Sequence, residues 1–301
     1  MRFVTAKKGE RVFVGIMDEE GKMVLNLQSA AELLGKHASY LSDFLRCLDR
    51  GDSFLKEVEE ILLLVKNTTV GNVYEDITKV EILAPIPRPR KNIFCVGKNY
   101  AAHAIEMGSE ADIPKAPMLF SKAPTSVTGP DSVILNHSHV TSELDYEGEL
   151  AVVIGKTGNR ISEENAMEYV FGYTIINDIT ARDLQTKHKQ FLLGKSMDTS
   201  CPMGPTIVHK SLVQDPHQLK IETKVNGEVR QSATTEQFIF NIPNLISTIS
   251  QATTLEAGDI IATGTPAGVG KGFQPPKYLN PNDVIEIEIE QLGILRNYIE
   301  A

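Results

Sequence analysis

Two almost wholly apolar runs, Leu150–Ile154 and Val170–Ile176, each meet carboxylates at one end, and this restricts the fold more than any other feature of the chain. Both runs read as strands. Glu147 and Glu149 lead into the first, two residues apart. A strand has a side-chain period of two, so both glutamates project from one face, about 6–7 Å apart along it. Asp178 closes the second run, where the chain turns into Thr180–Gln185. Like charges gathered at the ends of buried strands are costly unless something positive sits between them. A hard divalent cation answers that cost, and three monodentate oxygens leave about half its octahedron for substrate and water. The competing reading is two exposed strand glutamates and a helix-capping aspartate.

Beyond these runs the chain reads as α+β and mainly β. Arg11–Met17 and Lys22–Leu27 flank Asp18–Gly21 as a hairpin. Amphipathic helical patterns follow at Ser29–Leu34 and Leu41–Lys66. The proline-dense segment Ala84–Lys91 cannot lie in a helix or a central strand. It separates a small α+β N-terminal domain, residues 1–82, from a larger one, residues 83–301. Asn226-Gly227, between Leu219–Val225 and Glu228–Gln231, is the strongest hairpin signal. Further strands are expected at Asn92–Gly97, Asp259–Thr263 and Asp283–Glu290, with helices at Glu163–Met167, Ala181–His188 and Ile242–Gln251. This is not the alternation of a doubly wound sheet.

Composition narrows the function. Lys+Arg 30 against Asp+Glu 39 leaves a net charge of −9 with no basic stripe, which argues against nucleic acid or an anionic membrane surface as partner. Apolar runs such as Ile61–Val65 are too short to span a bilayer, and the N-terminus lacks a signal-peptide core. Cys47, Cys95 and Cys201 are odd in number and widely spaced, as expected of reduced, mostly buried thiols in a cytoplasmic protein. No spacing supports Cys201 as a nucleophile.

Four further constellations carry chemistry. His103 and Glu106, three apart, share a face if that segment is helical, so the carboxylate can orient the imidazole as a general base. The polar stretch Gly108–Asp112 after them could close over a pocket. Arg182 and Gln185 follow Asp178 on one side of a helix, where a guanidinium could clamp a carboxylate. Lys195, opening the irregular Gly/Pro-rich loop Gly194–Pro205, could balance residual negative charge and hold an anion. Ala262–Gly272 is not a phosphate loop, because Thr265 and Gly272 stand where that motif needs Gly and Ser or Thr. Its amides and the Thr265 hydroxyl could still bind a carboxylate or carbonyl oxygen.

Gly97–Tyr100 with His103 and Glu106, Asp145–Glu149, Asn177–Gln185, Gly194–Ser196 and Thr263–Gly270 together resemble the fumarylacetoacetate hydrolase family, in the family's order, from about residue 84 to the C-terminus. The resemblance implies a mixed β-sandwich roll, usually a homodimer, with a Mg²⁺ or Mn²⁺ site. It implies Glu147, Glu149 and Asp178 as metal ligands and His103–Glu106 as a catalytic dyad on a lid. Lys195 would serve in catalysis and substrate binding, with Arg182, Gln185, Thr265 and Tyr100 around a small 2-oxo acid. The expected reaction is metal-dependent C–C cleavage through an enolate, either oxaloacetate decarboxylation or acylpyruvate hydrolysis. A hydratase or isomerase on the same site is the alternative. A partner-binding role, with an exposed apolar patch on Leu41–Lys66, is the reading from a different class.

Overall fold

The computed structural model describes residues 1–67 and 73–301. Strands β1 (Arg2–Lys8), β2 (Arg11–Met17) and β3 (Met23–Asn26) form an antiparallel meander. Helices α1 (Leu27–Leu33), α2 (Phe44–Leu48) and α3 (Asp52–Asn67) follow, then short strands β4 (Tyr74–Asp76) and β5 (Glu81–Leu83). The single helix expected over Leu41–Lys66 is thus broken. Asp43 caps α2 by accepting the Leu45 N–H at 2.9 Å, and Gly51, at φ 54°, turns the chain before α3. The apolar residues Phe54, Val58, Ile61 and Val65 of α3 pack inward, leaving Leu63 and Leu64 exposed.

The larger part begins with β6 (Ile93–Gly97), α4 (Ala101–Glu106), β7 (Met118–Lys122), β8 (Val127–Thr128) and β9 (Val133–Ile134). Next come β10 (Leu144–Asp145), β11 (Gly148–Ile154), β12 (Val170–Asn177) and β13 (Thr180–Ala181). Helices α5 (Arg182–His188) and α6 (Leu192–Lys195) lead to β14 (Cys201–His209) and the hairpin β15 (Lys220–Val225) to β16 (Glu228–Thr234). Asn226 and Gly227 turn that hairpin at φ 52° and 78°, as a two-residue turn requires. Helix α7 (Ile242–Ser250), β17 (Ile260–Ala262), β18 (Val284–Ile289) and β19 (Gly293–Ile299) complete the chain. The helix expected at Glu163–Met167 is a 3-10 helix over Glu163–Tyr169.

The main sheet runs β4-β3-β2-β1-β14-β12-β11-β17-β6-β7, mostly antiparallel, with β17 and β6 parallel. A second sheet, β16-β15-β18-β19-β9, packs on one face of it. Strand β11 is buried throughout, which explains its unbroken apolar run. Leu150, Val152 and Ile154 point into the core shared with the second sheet, whereas Ala151 and Val153 face the core built with the front helices. Glu147 and Glu149 belong to that latter face by parity. The result is an α+β molecule dominated by mixed sheets.

Several strands fall where sequence patterning gave none, β1, β7, β14 and β19 being the longest. Cys201–Pro205 was expected to be loop, yet it begins the central strand β14; its prolines coincide with a shift in the β12–β14 register, where the ladder is interrupted. Strand β1 at the chain start pairs with β14, Arg2 opposite Val208. The front segment and the rest therefore share one sheet and one core. Phe3 lies 5.4 Å from Phe44, 5.5 Å from Phe54 and 5.5 Å from Phe171, ring centre to ring centre. No described helix is long and apolar enough to cross a membrane.

Candidate active site

Antiparallel pairing of β11 and β12, Gly148 opposite Asn177, brings Glu147 and Asp178 to the same end of the sheet. The Asp178 N–H donates to the Glu147 carbonyl at 2.8 Å. Glu147, Glu149 and Asp178 are all buried, and one carboxylate oxygen from each lies within 4.8 Å of the other two. Three cations surround them. Lys195 Nζ, at the end of α6, sits 2.7 Å from Glu147 Oε2 and 2.8 Å from Asp178 Oδ2. Lys122 Nζ, at the end of β7, lies 2.8 Å from Asp178 Oδ1 and donates to the Ile179 carbonyl at 3.0 Å. Arg182 Nη2 is 2.7 Å from Glu147 Oε1, and its Nε donates to Asp145 Oδ2 at 2.8 Å. The Nη2 contact is an ion pair without hydrogen-bond alignment.

These cations are unevenly shared. Burial opposes the Glu147 charge, but Lys195 and Arg182 outweigh it and hold that carboxyl below the usual range. Glu149 has no ion-pair partner among the described residues and accepts only the Gly264 N–H, at 2.8 Å. Burial, then the charges of Asp178 and Glu147, push its carboxyl well upward. Four buried carboxylates (Asp145, Glu147, Glu149, Asp178) against three buried cations (Lys122, Arg182, Lys195) leave one negative charge uncompensated. A carboxylate short of a cation, in an all-oxygen donor set, fits a hard divalent ion such as Mg²⁺ or Mn²⁺. Such an ion would turn the net charge of the set to +1, favouring an anionic ligand.

Helix α4 carries the second group. His103 Nδ1 is 3.2 Å from Glu106 Oε2, the neighbour that their spacing predicts, and Glu106 Oε1 accepts the Gly268 N–H at 2.9 Å. The segment after α4 is ordered by Ser109 and Asp112, which cap each other, and Lys98 Nζ reaches Asp112 at 3.4 Å. Thr265 Oγ1 donates to the Gly148 carbonyl at 2.9 Å and accepts from Gln231 Nε2 at 2.7 Å.

A cavity of about 270 Å³ joins these parts. His103, Glu147, Glu149, Arg182, Gln185, Lys195 and Thr265 all line it, with Phe120, Phe191, Met107 and Met118 as apolar wall. Asp178 and Glu106 are not part of the lining but touch it, Asp178 at Lys195 and Glu106 at His103. Tyr100, expected against substrate, is not part of the lining. It is buried edge-on to Phe238, 5.2 Å between rings, from the extended position that precedes α4. Arg182 also differs from expectation: Asp145 and Glu147 already occupy its fork, and Gln185 Oε1 accepts from its Nη1 at 3.3 Å. It orders the glutamate rather than offering a free clamp. Cys201 is buried outside the cavity lining, and burial pushes its thiol upward, which disfavours the thiolate.

Lys122, Asp145, Gln231, Lys98 and Lys189 belong to the site or its walls but were not anticipated as functional. Lys122 closes an apolar strand, where a lysine ordinarily reaches solvent. The signal for Asp145 was its place in the Asp145–Glu149 cluster. Lys98 and Lys189 both line the cavity and both adopt left-handed backbone, φ 53° and 59°, uncommon for residues other than glycine and enriched at functional sites.

Residues 92–300 match the family described as fumarylacetoacetate (FAA) hydrolase, C-terminal. The chain is 54% identical to "Oxaloacetate tautomerase YisK" of Bacillus subtilis, over 99% of this chain and 100% of that one. Among solved structures, a fumarylacetoacetate hydrolase from Exiguobacterium antarcticum is similar at TM-score 0.81 and 40% identity, over 100% of this chain and 99% of that one. A maleylpyruvate hydrolase from Sphingobium is similar at TM-score 0.78 and 28% identity, again over 100% and 99%. The motif order, the sheets and these likenesses agree: the chain belongs to the fumarylacetoacetate hydrolase family.

Proposed function

We propose that this protein is a tautomerase of a small dicarboxylic 2-oxo acid, oxaloacetate, interconverting its enol and keto forms. The observation that carries the reading is that His103, oriented by Glu106, lines the same small cavity as Glu147 and Glu149 of the three-carboxylate cluster. The 54% identity to a protein described as an oxaloacetate tautomerase supports it.

Glu147, Glu149 and Asp178 would hold a divalent cation, which when bound supplies Lewis-acid stabilisation of negative charge on a substrate oxygen. The chain's own residues do the rest. Glu106 accepting from Nδ1–H of His103 leaves the lone pair on Nε2, so that nitrogen takes or gives the proton at C3 of the substrate. As the C3–H bond breaks, its electrons form the C2–C3 double bond, the C2=O π pair moves onto the oxygen, and solvent protonates that oxygen while the proton held on His103 Nε2 returns to solvent. Lys195, whose three donors meet two carboxylates, keeps one N–H for that oxygen. Lys98 and Lys189 add positive charge elsewhere on the wall, which suits a second carboxylate on the substrate. The aromatic and methionine wall limits water, which matters because the enol must not be diverted.

C–C bond cleavage is the second reading, favoured by the same dyad, because a histidine base beside a carboxylate also activates water. Decay of enol-oxaloacetate absorbance, with pyruvate release measured in parallel, separates the two. Fast ketonisation without pyruvate, lost on chelation, supports the tautomerase. Pyruvate release matching substrate loss would replace it with a decarboxylase, and turnover of acylpyruvates alone with a hydrolase.

A further inference from the structure

The turn Gly268–Gly272 receives the carboxylate of Glu106. Gly268 N–H donates to Oε1, so Oε2 is the oxygen that meets His103. The carboxylate fits there because position 272 has no side chain. A Cβ on Gly272 would overlap Glu106 Oε1 and Cδ, and the three nearest heavy atoms all belong to that side chain. The other glycines of this stretch answer to different constraints. Gly264 and Gly268 have left-handed backbone, φ 99° and 103°, and the Lys277 carbonyl fills the space beside Gly270. Gly272 lies in a 3-10 turn outside the left-handed region, so its backbone accepts alanine. What it cannot accept is alanine together with Glu106 as placed.

The turn cannot retreat to make room. Gly270 N–H donates to Asp145 Oδ1 at 2.7 Å and Lys271 N–H to Asp145 Oδ2 at 3.1 Å, and Asp145 is itself fully buried against Arg182. A methyl group at 272 must therefore displace the Glu106 side chain, and with it the support of the imidazole. We propose that Gly272 is a positioning residue for the His103–Glu106 dyad: its bare Cα forms the seat that fixes the carboxylate and, through it, the base. The inference rests on the dyad's role in proton transfer argued above.

A double-mutant cycle tests it, with Gly272→Ala, Glu106→Ala and the two combined, assayed by ketonisation of enol-oxaloacetate and by thermal melting. Gly272→Ala should lower kcat roughly tenfold to a hundredfold, less than the ~10²–10⁴-fold a general base contributes because the imidazole itself is retained, with KM little changed. In the Glu106→Ala background the same substitution should cost nothing further in kcat, and the combined variant should melt no lower than Glu106→Ala alone. A wild-type kcat in Gly272→Ala, or losses that multiply in the combined variant, would overturn the inference while leaving the dyad intact. A wild-type rate in Glu106→Ala would instead overturn the dyad's role and this inference with it.

Discussion

Lys122 and Asp178 form an ion pair at 2.8 Å with both side chains wholly removed from solvent. Charges at this depth stand only as a set: removing one partner leaves the other buried and uncompensated. Lys122→Met keeps most of the stem volume but deletes the charge, and should cost about 3–5 kcal/mol in urea unfolding with chelator present. Added Mg²⁺ should narrow the deficit, because the ion supplies charge the lysine no longer does. Equal stability of variant and wild type would contradict the pairing.

Glu149 is the carboxylate without a cation, so its substitution should separate metal binding from folding. Divalent ion at a hundredfold excess over its dissociation constant should stabilise the wild type by about 2.7 kcal/mol. Glu149→Gln should gain almost nothing from the ion. Its metal-free form should be at least as stable as metal-free wild type, since a neutral amide relieves the repulsion from Asp178 and Glu147. Isothermal titration with Mn²⁺, beside melts with and without the ion, reads both effects.

His103→Ala should reduce kcat for ketonisation by about 10²–10⁴-fold with little change in KM, the loss expected for a proton-transfer group. An equal rise in KM with kcat preserved would mark the imidazole as a binding group.

Lys189 bears on which acid is chosen. Lys189→Ala should raise KM for a dicarboxylic 2-oxo acid about fivefold to thirtyfold, a charge-assisted contact of roughly 1–2 kcal/mol at an exposed position. A monocarboxylic analogue should show no change. Loss of kcat for both would place the residue elsewhere in the mechanism.

Stability should fall in mild acid through His209, whose ring packs edge-on to Phe171 at 5.1 Å. Burial first, then the N-terminal ammonium and Lys210, push its pKa down to about 4 from 6.5. Between those values the unfolded chain binds the proton more tightly, so stability is complete above about pH 6.5 and declines as pH drops towards 4. Solvent screening at this half-buried ring brings the loss to roughly 1–2 kcal/mol. Melts of His209→Gln across that window should show a flatter profile than wild type.

The site was legible in the sequence wherever its geometry is local. Glu147 and Glu149 follow from the period of a strand, and His103 and Glu106 from the pitch of a helix. Asp178 was legible because it closes an apolar run. What stayed hidden depends on partners far along the chain. Lys122 looks like an ordinary strand-end lysine until β7 is laid beside the Asp178 turn. Arg182 looks like a free clamp until Asp145 and Glu147 close on it. Tyr100 sits in a matching motif, yet its ring turns towards Phe238. The break before α3 was written locally, in Asp43 and Gly51, but an amphipathic pattern runs through such breaks undisturbed. Strand β1 escaped notice because seven residues at a chain start carry little pattern, and its pairing partner lies near residue 208.

That pairing of Arg2 with Val208 also sets a timetable. As the chain leaves the ribosome, β1 and β2 can meet at once, and Thr5–Lys7 on the other edge of β1 can take β5 soon after, but the Arg2–Phe3 end of that edge has no neighbour until β14 has been synthesised. Phe3 likewise waits for Phe171. Through most of translation the nascent chain therefore carries a strand edge open at Arg2–Phe3 and an aromatic cluster without its Phe171 member, features of the kind that recruit chaperones and seed aggregation. Slow elongation through the first two-thirds of the message should lower soluble yield more than slow elongation through the last third.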